Sequence, residues 1–277
     1  MSLPYTNLPV YIGTYAVDPN YYVPATQVDV NYNTTHSPKR KLGSNIGTGD
    51  QFGFDGALTA EINVNSLVHE DMELPFGFAE RANYANDTYV VIGDNVFSKC
   101  YPVDLSVQIS PFEPVRIQTK FVSLDPPTGE QISGTGWLSL PITGDDIAYG
   151  KDCVVYAAGV GASNVINDVQ SNITFNRRYA RTPTFELGSI NASQMLLDGV
   201  EEDLVISSTG LEQLIDFSGQ VLNDSLNIQI QNVGAGMSTP INNLIEFKHG
   251  SRVLSENYSV VEGETVKTSA TIKQIKL

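Results

Sequence analysis

Residues 28–43 read Val28-Asp29-Val30-Asn31-Tyr32, a polar turn, then Pro38-Lys39-Arg40-Lys41-Leu42-Gly43. Residues 173–188 read Ile173-Thr174-Phe175-Asn176-Arg177, a polar turn, then Pro183-Thr184-Phe185-Glu186-Leu187-Gly188. At a constant offset of 145, Val28 falls on Ile173, Val30 on Phe175, Asn31 on Asn176, Pro38 on Pro183 and Leu42-Gly43 on Leu187-Gly188. The similarity continues with small gaps. Asp55-Gly56 falls on Asp198-Gly199 after a two-residue deletion. At an offset of 157, Val90 meets Phe247, Gly93 meets Gly250, Val96-Phe97-Ser98 meets Val253-Leu254-Ser255, Tyr101 meets Tyr258 and Val103 meets Val260. At an offset of 151, Val115, Ile117, Thr119 and Phe121 meet Val266, Thr268, Ala270 and Ile272. Self-similarity at fixed spacing is the mark of repeated structural units. Two β-rich segments can also align by chance once gaps are allowed, and the paired glycines, prolines and tyrosines count against that.

At 277 residues the length prior is about two domains. Hydrophobic residues are 41%, an ordinary globular share, so two cores can be filled. The net charge of -15 is spread evenly: 7 Lys+Arg against 15 Asp+Glu up to residue 140, and 9 against 16 beyond it. Such a chain is a poor candidate for gripping nucleic acid, whose affinity comes from neutralised phosphates. Cys100 and Cys153 are not in a C-x-x-C pair and read as reduced, buried thiols of an intracellular protein. No secretory signal is visible, and no apolar run approaches the roughly 18 residues that span a bilayer. N-x-[ST] triplets such as Asn172-Ile173-Thr174 carry no weight without a signal.

Along the chain, residues 1–25 hold five tyrosines and four prolines, and read as an N-terminal arm packed on its own domain or docked on a neighbouring subunit. Residues 26–35 alternate Val28, Val30, Tyr32 with Asp29, Asn31, Asn33, and residues 57–65 alternate around Leu58, Ala60, Ile62 and Val64. Both are half-buried strands, joined as a hairpin with an extended tip. Residues 66–86 hold a short helix or loop interrupted at Pro75. Strands are expected at 88–92, 101–109 and 114–122, set apart by Gly93-Asp94-Asn95 and Ser110-Pro111 turns. Residues 126–163 are linker-like in composition, with strand pieces at Trp137-Leu138-Ser139-Leu140 and Val154-Val155-Tyr156. From 164 a second domain is expected, with a hairpin of 172–176 and 202–208. A helix over 210–217 capped by Ser208-Thr209 follows, then strands near 226–231, 243–248, 253–261 and 265–274. The fold class is mainly β: two tandem β-sandwich or barrel-like domains, 26–125 and 164–277, each with at most a short flanking helix.

Catalytic signatures are missing from the sequence. There is no G-x-S-x-G elbow, no H-E-x-x-H and no G-x-x-x-x-G-K-[ST]. His36, His69 and His249 form no ligand-spaced pair. Gly47-Thr48-Gly49-Asp50 and Gly159-Val160-Gly161 lack the strand-loop-helix context of a nucleotide site and read as loops. Asp145-Asp146 and Glu201-Glu202-Asp203 suit paired carboxylates or calcium ligands in type, but solvated turns explain them as well. A glycosidase cleft is usually lined by several tryptophans, and Trp137 is the single one in the chain. No enzyme activity, cofactor or metal is expected.

The hairpin with its Pro38-Lys39-Arg40-Lys41-Leu42-Gly43 tip resembles those of bacteriophage tail tube proteins. So does the run Val91-Ile92-Gly93-Asp94-Asn95-Val96-Phe97-Ser98-Lys99-Cys100-Tyr101, followed by Ile109-Ser110-Pro111-Phe112-Glu113-Pro114-Val115. The resemblance covers most of 26–125 and, more weakly, 170–277. It implies a virion structural protein of the tail, assembled in the host cytoplasm. Its small β-sandwiches would join edge to edge into rings, and the rings would stack into a tube through which the genome passes. Family members mostly carry one such domain in hexameric rings; two per chain imply a ring of three. The partners implied are copies of the chain itself, other tail proteins and DNA passing without specific binding, with no membrane. A baseplate hub or tube-initiator component, and a carbohydrate-binding or adhesion module on the virion, are the competing readings.

Two sets of residues follow. The polar face of the hairpins carries Asp29, Asn31, Glu61 and Asn63 in the first copy and Asn172, Thr174, Glu201 and Asp203 in the second, all acids and amides. On the tube reading these face the lumen and repel DNA. Lys39, Arg40 and Lys41, the only run of three basic residues, are candidates for contact between stacked rings, or a solvated turn.

Overall fold

Strict apolar–polar alternation has only one low-energy outcome in a chain this poor in helical period: strands with one face inward. The computed structural model describes residues 10–14, 17–40, 51–68, 88–93, 95–125, 127, 147–159, 162–165, 170–187, 191–209, 225–230, 241–247, 251–260, 262 and 267–276. The described residues are mainly strand: β1 (Val10–Thr14), β2 (Val17–Val23), β3 (Ala25–Arg40), β4 (Gln51–Leu67), β5 (Thr88–Ile92), β6 (Asn95–Ile109), β7 (Arg116–Ser123), β8 (Cys153–Gly159), β9 (Ala162–Val165), β10 (Gln170–Phe185), β11 (Ala192–Thr209), β12 (Ser225–Ile230), β13 (Ile241–Phe247), β14 (Arg252–Ser259) and β15 (Lys267–Lys276). The strands fall close to their expected positions, and both expected hairpins form with arms longer than the alternation alone marked.

Two antiparallel sheets hold the described strands. In the larger, the run β3-β4-β7-β6-β10-β11-β15-β14 is continuous, and β5-β1-β2 branches from the first part of β6. The smaller has the order β13-β12-β8-β9. The branch has a local cause. β5 pairs with β6 only as far as Cys100, and β10 pairs along the same strand from Asp104 to Ile109. Within the β5–β6 ladder, just before that change of partner, the register slips between Thr88 and Val90, where Lys99 adopts a left-handed φ of 47°. A residue in that conformation is typical of a β-bulge and redirects the strand. At the other end of β5, Gly93 takes φ 58° in the tight connection from Ile92 to Asn95, a conformation glycine adopts without a Cβ clash.

Within the stretch expected as an arm, residues 10–14 and 17–23 are paired strands: β1 pairs with β2 and β5, and Val10, Ile12 and Val23 are buried. Part of the linker-like stretch is also built into a sheet, because β8 pairs with both β9 and β12. Ala148, in the same stretch, is buried, donates its backbone N–H to the Val68 carbonyl and accepts from the Val115 N–H. Ser208 and Thr209 form the end of β11, opposite Thr268 and Lys267 of β15. The expected helices over 210–217 and within 69–86, and the Trp137–Leu140 piece, lie outside the described residues.

The core follows the alternation. Ala60, Ile62 and Val64 of β4, Val107 and Ile109 of β6, Ile173 and Phe175 of β10, and Leu204 and Ile206 of β11 all point to one buried side. Leu226, Ile228 and Phe247 of the smaller sheet belong to the same buried cluster. Phe175 and Phe247 meet edge to face, with centroids 5.9 Å apart and planes at 88°. That geometry is favoured by the ring quadrupoles. Replacing Phe247 by Ala is expected to cost about 3–5 kcal/mol in urea unfolding, the range for deleting a buried phenyl. A loss below about 1 kcal/mol would mean that the smaller sheet is not docked on this core.

Candidate functional site

A strand buried on one face turns its other face outward, and cross-strand register decides which outward residues become neighbours. All eight polar-face candidates lie on one outward face of the large sheet. Asp29 stands opposite Asn63 and Asn31 opposite Glu61 between β3 and β4. Asn172, Thr174, Glu201 and Asp203 hold the same phase on β10 and β11, alternating with buried Ile173, Phe175, Glu202 and Leu204. The face is continuous between the two groups through Gln118 and Lys120 of β7 and Asp104 and Ser106 of β6.

The expectation of a face made of acids and amides is corrected by the strands between and beside the hairpins. Lys120 Nζ lies 2.9 Å from Glu61, Arg178 Nε 3.5 Å from Asp104, and Lys273 Nζ 3.3 Å from Glu201. A shallow hollow lined by Asp104, Lys120, Arg178 and Asp203 sits over the middle of this face. Arg178 follows Asn176 in phase and was legible in sequence; Lys120 and Lys273 required knowing which strands lie beside the hairpins. Each exposed pair contributes only ~0–1 kcal/mol. Their joint effect is on potential: in a chain of net charge -15, this face interleaves acids with bases. Lys39 and Arg40 lie at the far end of β3, opposite Phe52 and Gln51. Lys41 lies outside the described residues.

The middle of the face is a seam where the halves of the chain meet. Residues Ile173–Arg178 of β10 pair with Asp104–Ile109 of β6. Side chains reinforce the ladder: the Ser106 hydroxyl donates to Asn176 Oδ1 at 2.8 Å and the Ser110 hydroxyl to Asn172 Oδ1 at 2.9 Å. Beyond the ladder, Arg181 Nε donates to the Pro102 carbonyl at 2.8 Å, and its guanidinium sits 5.3 Å from the Tyr101 ring centroid.

Beneath the seam is a buried charged pair: Glu202, read in the sequence as part of a solvated acidic turn, lies within strand β11 and is fully buried, because it falls in the inward phase of the alternation. Arg177 and Glu202 are in the inward phase of adjacent strands and directly opposite each other. Arg177 Nε donates to Glu202 Oε1 at 2.7 Å, and both side chains are almost fully buried. The Arg177 guanidinium also lies 5.5 Å from the Phe175 ring centroid. Burial raises the pKa of the neighbouring Tyr179 phenol above the ordinary tyrosine value, with Arg177 acting in the opposite direction.

Among the described residues, no group of three or more His, Cys, Asp or Glu side chains is arranged to hold a metal ion. No helix among them is long and apolar enough to cross a membrane. No protein-family model matches the chain, and no curated protein matches its sequence.

A buried ion pair resists removal of one partner more than removal of both, because a lone buried charge is left uncompensated. Arg177→Met is expected to cost about 3–5 kcal/mol, whereas Arg177→Met with Glu202→Leu is expected to be neutral or stabilising by about 1–4 kcal/mol. Denaturant melts of the three proteins check this; equal losses in the single and double variants would contradict it.

Proposed function

We propose that this chain is a virion structural protein, a tail tube subunit that forms rings from two tandem β units per chain and stacks them into a conduit for the genome. The observation that carries the reading is a repeated register. In the first half Val30, Ile62 and Phe121 lie side by side across β3, β4 and β7. In the second, Phe175, Leu204 and Ile272 lie side by side across β10, β11 and β15. The ladders β6–β7 and β14–β15 complete the two runs, and each slips once in the same place, at Pro102/Asp104 and at Val253/Ser255. On this reading β14 answers β6 at an offset of 151, so Tyr101 corresponds to Arg252 and not to the Tyr258 suggested by sequence alignment. The hairpins β1–β2 and β8–β9 also correspond at an offset of 145, with Thr14 opposite Val17 and Gly159 opposite Ala162. The first unit therefore includes the residues read as an arm, and the second starts at β8, inside the linker-like stretch.

A structural unit whose sheet ends in open strands is stabilised by pairing those edges, and a closed barrel removes them altogether. The outward face described above is the proposed lumen wall. Its bases are held by its own acids, so a passing phosphate backbone finds no net counter-charge at which to stop. The proposed role needs no catalytic residue and no cofactor. Its partners are copies of the chain, other tail proteins and DNA passing without specific binding, in the virion tail.

Electron micrographs of the purified protein test the assembly. Rings of three chains with a sixfold-looking lumen, stacked into tubes, are expected; rings of six full chains would overturn the tandem-unit reading, and single rings that never stack would favour a hub or initiator. Changing Lys39, Arg40 and Lys41 together to Ser is expected to shorten the tubes with folding unchanged, and unaltered tube lengths at low and high salt would remove these residues from the stacking contact. Asp29→Lys, Glu61→Lys and Asp203→Lys together are expected to leave rings intact and slow genome passage in assembled particles. Normal ejection would argue that this face does not line the channel.

A further inference from the structure

We infer that the seam inside the chain is also the pattern for the seam between chains: strand β14 of one copy pairs antiparallel with β3 of the next, with Asn257 opposite Asn31. The inference rests on the tandem-unit reading above and adds to it which edges join, in what register and with what polarity.

Among the described residues, the large sheet ends in three strands with a single neighbour each: β2, β3 and β14. The smaller sheet ends in β9 and β13. Only two of these five correspond to strands that already meet inside the chain. β3 corresponds to β10 at an offset of 145, and β14 to β6 at an offset of 151, both fixed by their ladders with the adjoining strands. β10 and β6 are joined with Asn176 opposite Ser106 and Ile173 opposite Ile109. Carried across, the same register puts Asn31 opposite Asn257 and Val28 opposite Val260.

Exposure marks the same two edges. Phe175 and Ile173 are buried where β6 flanks them, whereas the corresponding Val30 and Val28 on β3 are only half-buried. Ile109 is 4% exposed, and Val260, its counterpart beyond the end of β14, is 72% exposed. Tyr32 on β3 and Leu254 on β14 are 53% and 57% exposed. Long open edges with apolar side chains are sites of strand addition unless something covers them. A second copy supplies what the internal seam already shows to fit. Because β3 and β14 lie at opposite ends of the eight-strand run, the contact is head to tail. It generates a closed ring if the rotation closes and a filament if it does not. With two units per chain, three copies complete a ring of six.

Cysteine trapping in the full chain tests the register. Ser106 and Asn176 touch through their side chains at the internal seam, so Asn31→Cys with Asn257→Cys should form disulfides between copies. After oxidation, a denaturing gel without reductant is expected to show most of the protein as covalent species ending at three chains, collapsing to one chain on reduction. The single variants, and Asp29→Cys with Ser255→Cys on the same edges but out of register, should stay at one chain. They also control for Cys100 and Cys153. If the unmodified chain builds rings or tubes but the in-register pair does not cross-link, or the out-of-register pair links as well, this seam is overturned and the tube reading stands. A covalent species that stops at two chains overturns the head-to-tail arrangement. A chain that stays single at every concentration overturns both.

Discussion

The backbone ladder between Asp104–Ile109 and Ile173–Arg178 is the interaction on which the rest of the described structure depends. Without it the large sheet would divide between β6 and β10, and each part would expose a flank rich in unsatisfied amides and carbonyls. Each backbone hydrogen bond contributes a net ~0.5–1.5 kcal/mol. The larger gain comes from what the ladder covers: Val107, Ile109, Ile173 and Phe175 are buried beside it. Fully burying such side chains is worth about 1.5–3 kcal/mol each. The Arg178–Asp104 ion pair adds specificity more than stability, since it is solvent-exposed.

Directly under this seam the chain keeps the buried pair Arg177 and Glu202. Hydrophobic residues of similar volume would hold the sheet at least as well. What a directional pair adds is register: a one-residue slip between β10 and β11 would turn every inward side chain outward and leave both charges without their partner. Fixing the register of β10 against β11 also fixes the phase in which β10 meets β6. The seam and the pair therefore constrain the same alignment from the outer and inner sides of the sheet.

Much of the strand pattern was legible because half-buried strands write their phase into the sequence. Val28/Val30 against Asp29/Asn31 and Ile173/Phe175 against Thr174/Asn176 mark both hairpins and their outward faces. The reading failed where phase was judged strand by strand. Lys120 and Lys273 come to the polar face through pairing with strands distant in sequence, and only sheet order reveals that. Arg177 and Glu202 sat in the inward phase all along; a charged residue there on each of two strands expected to pair was the signal to follow. On the tandem-unit reading proposed above, β14 answers β6 six residues away from the alignment that sequence alone suggests, because an edge strand, exposed along much of its length, carries little alternation. The strands at 10–14 and 17–23 were not legible because tyrosine and proline obscure the period of two short strands.

Amide hydrogen exchange, followed by mass spectrometry on separated chains and on assembled material, tests the central claim that open edges β3 and β14 repeat the internal seam. The β6–β10 ladder should be protected in both states. Within Val28–Asn33 and Ser255–Val260, the amides on the open side of each edge, not bonded to β4 or β15, should exchange readily in the single chain and become protected together on assembly, while β2 and β9 are unchanged. Assembly that protects β2 or β9 and leaves β3 and β14 exchanging as in the single chain would contradict the account.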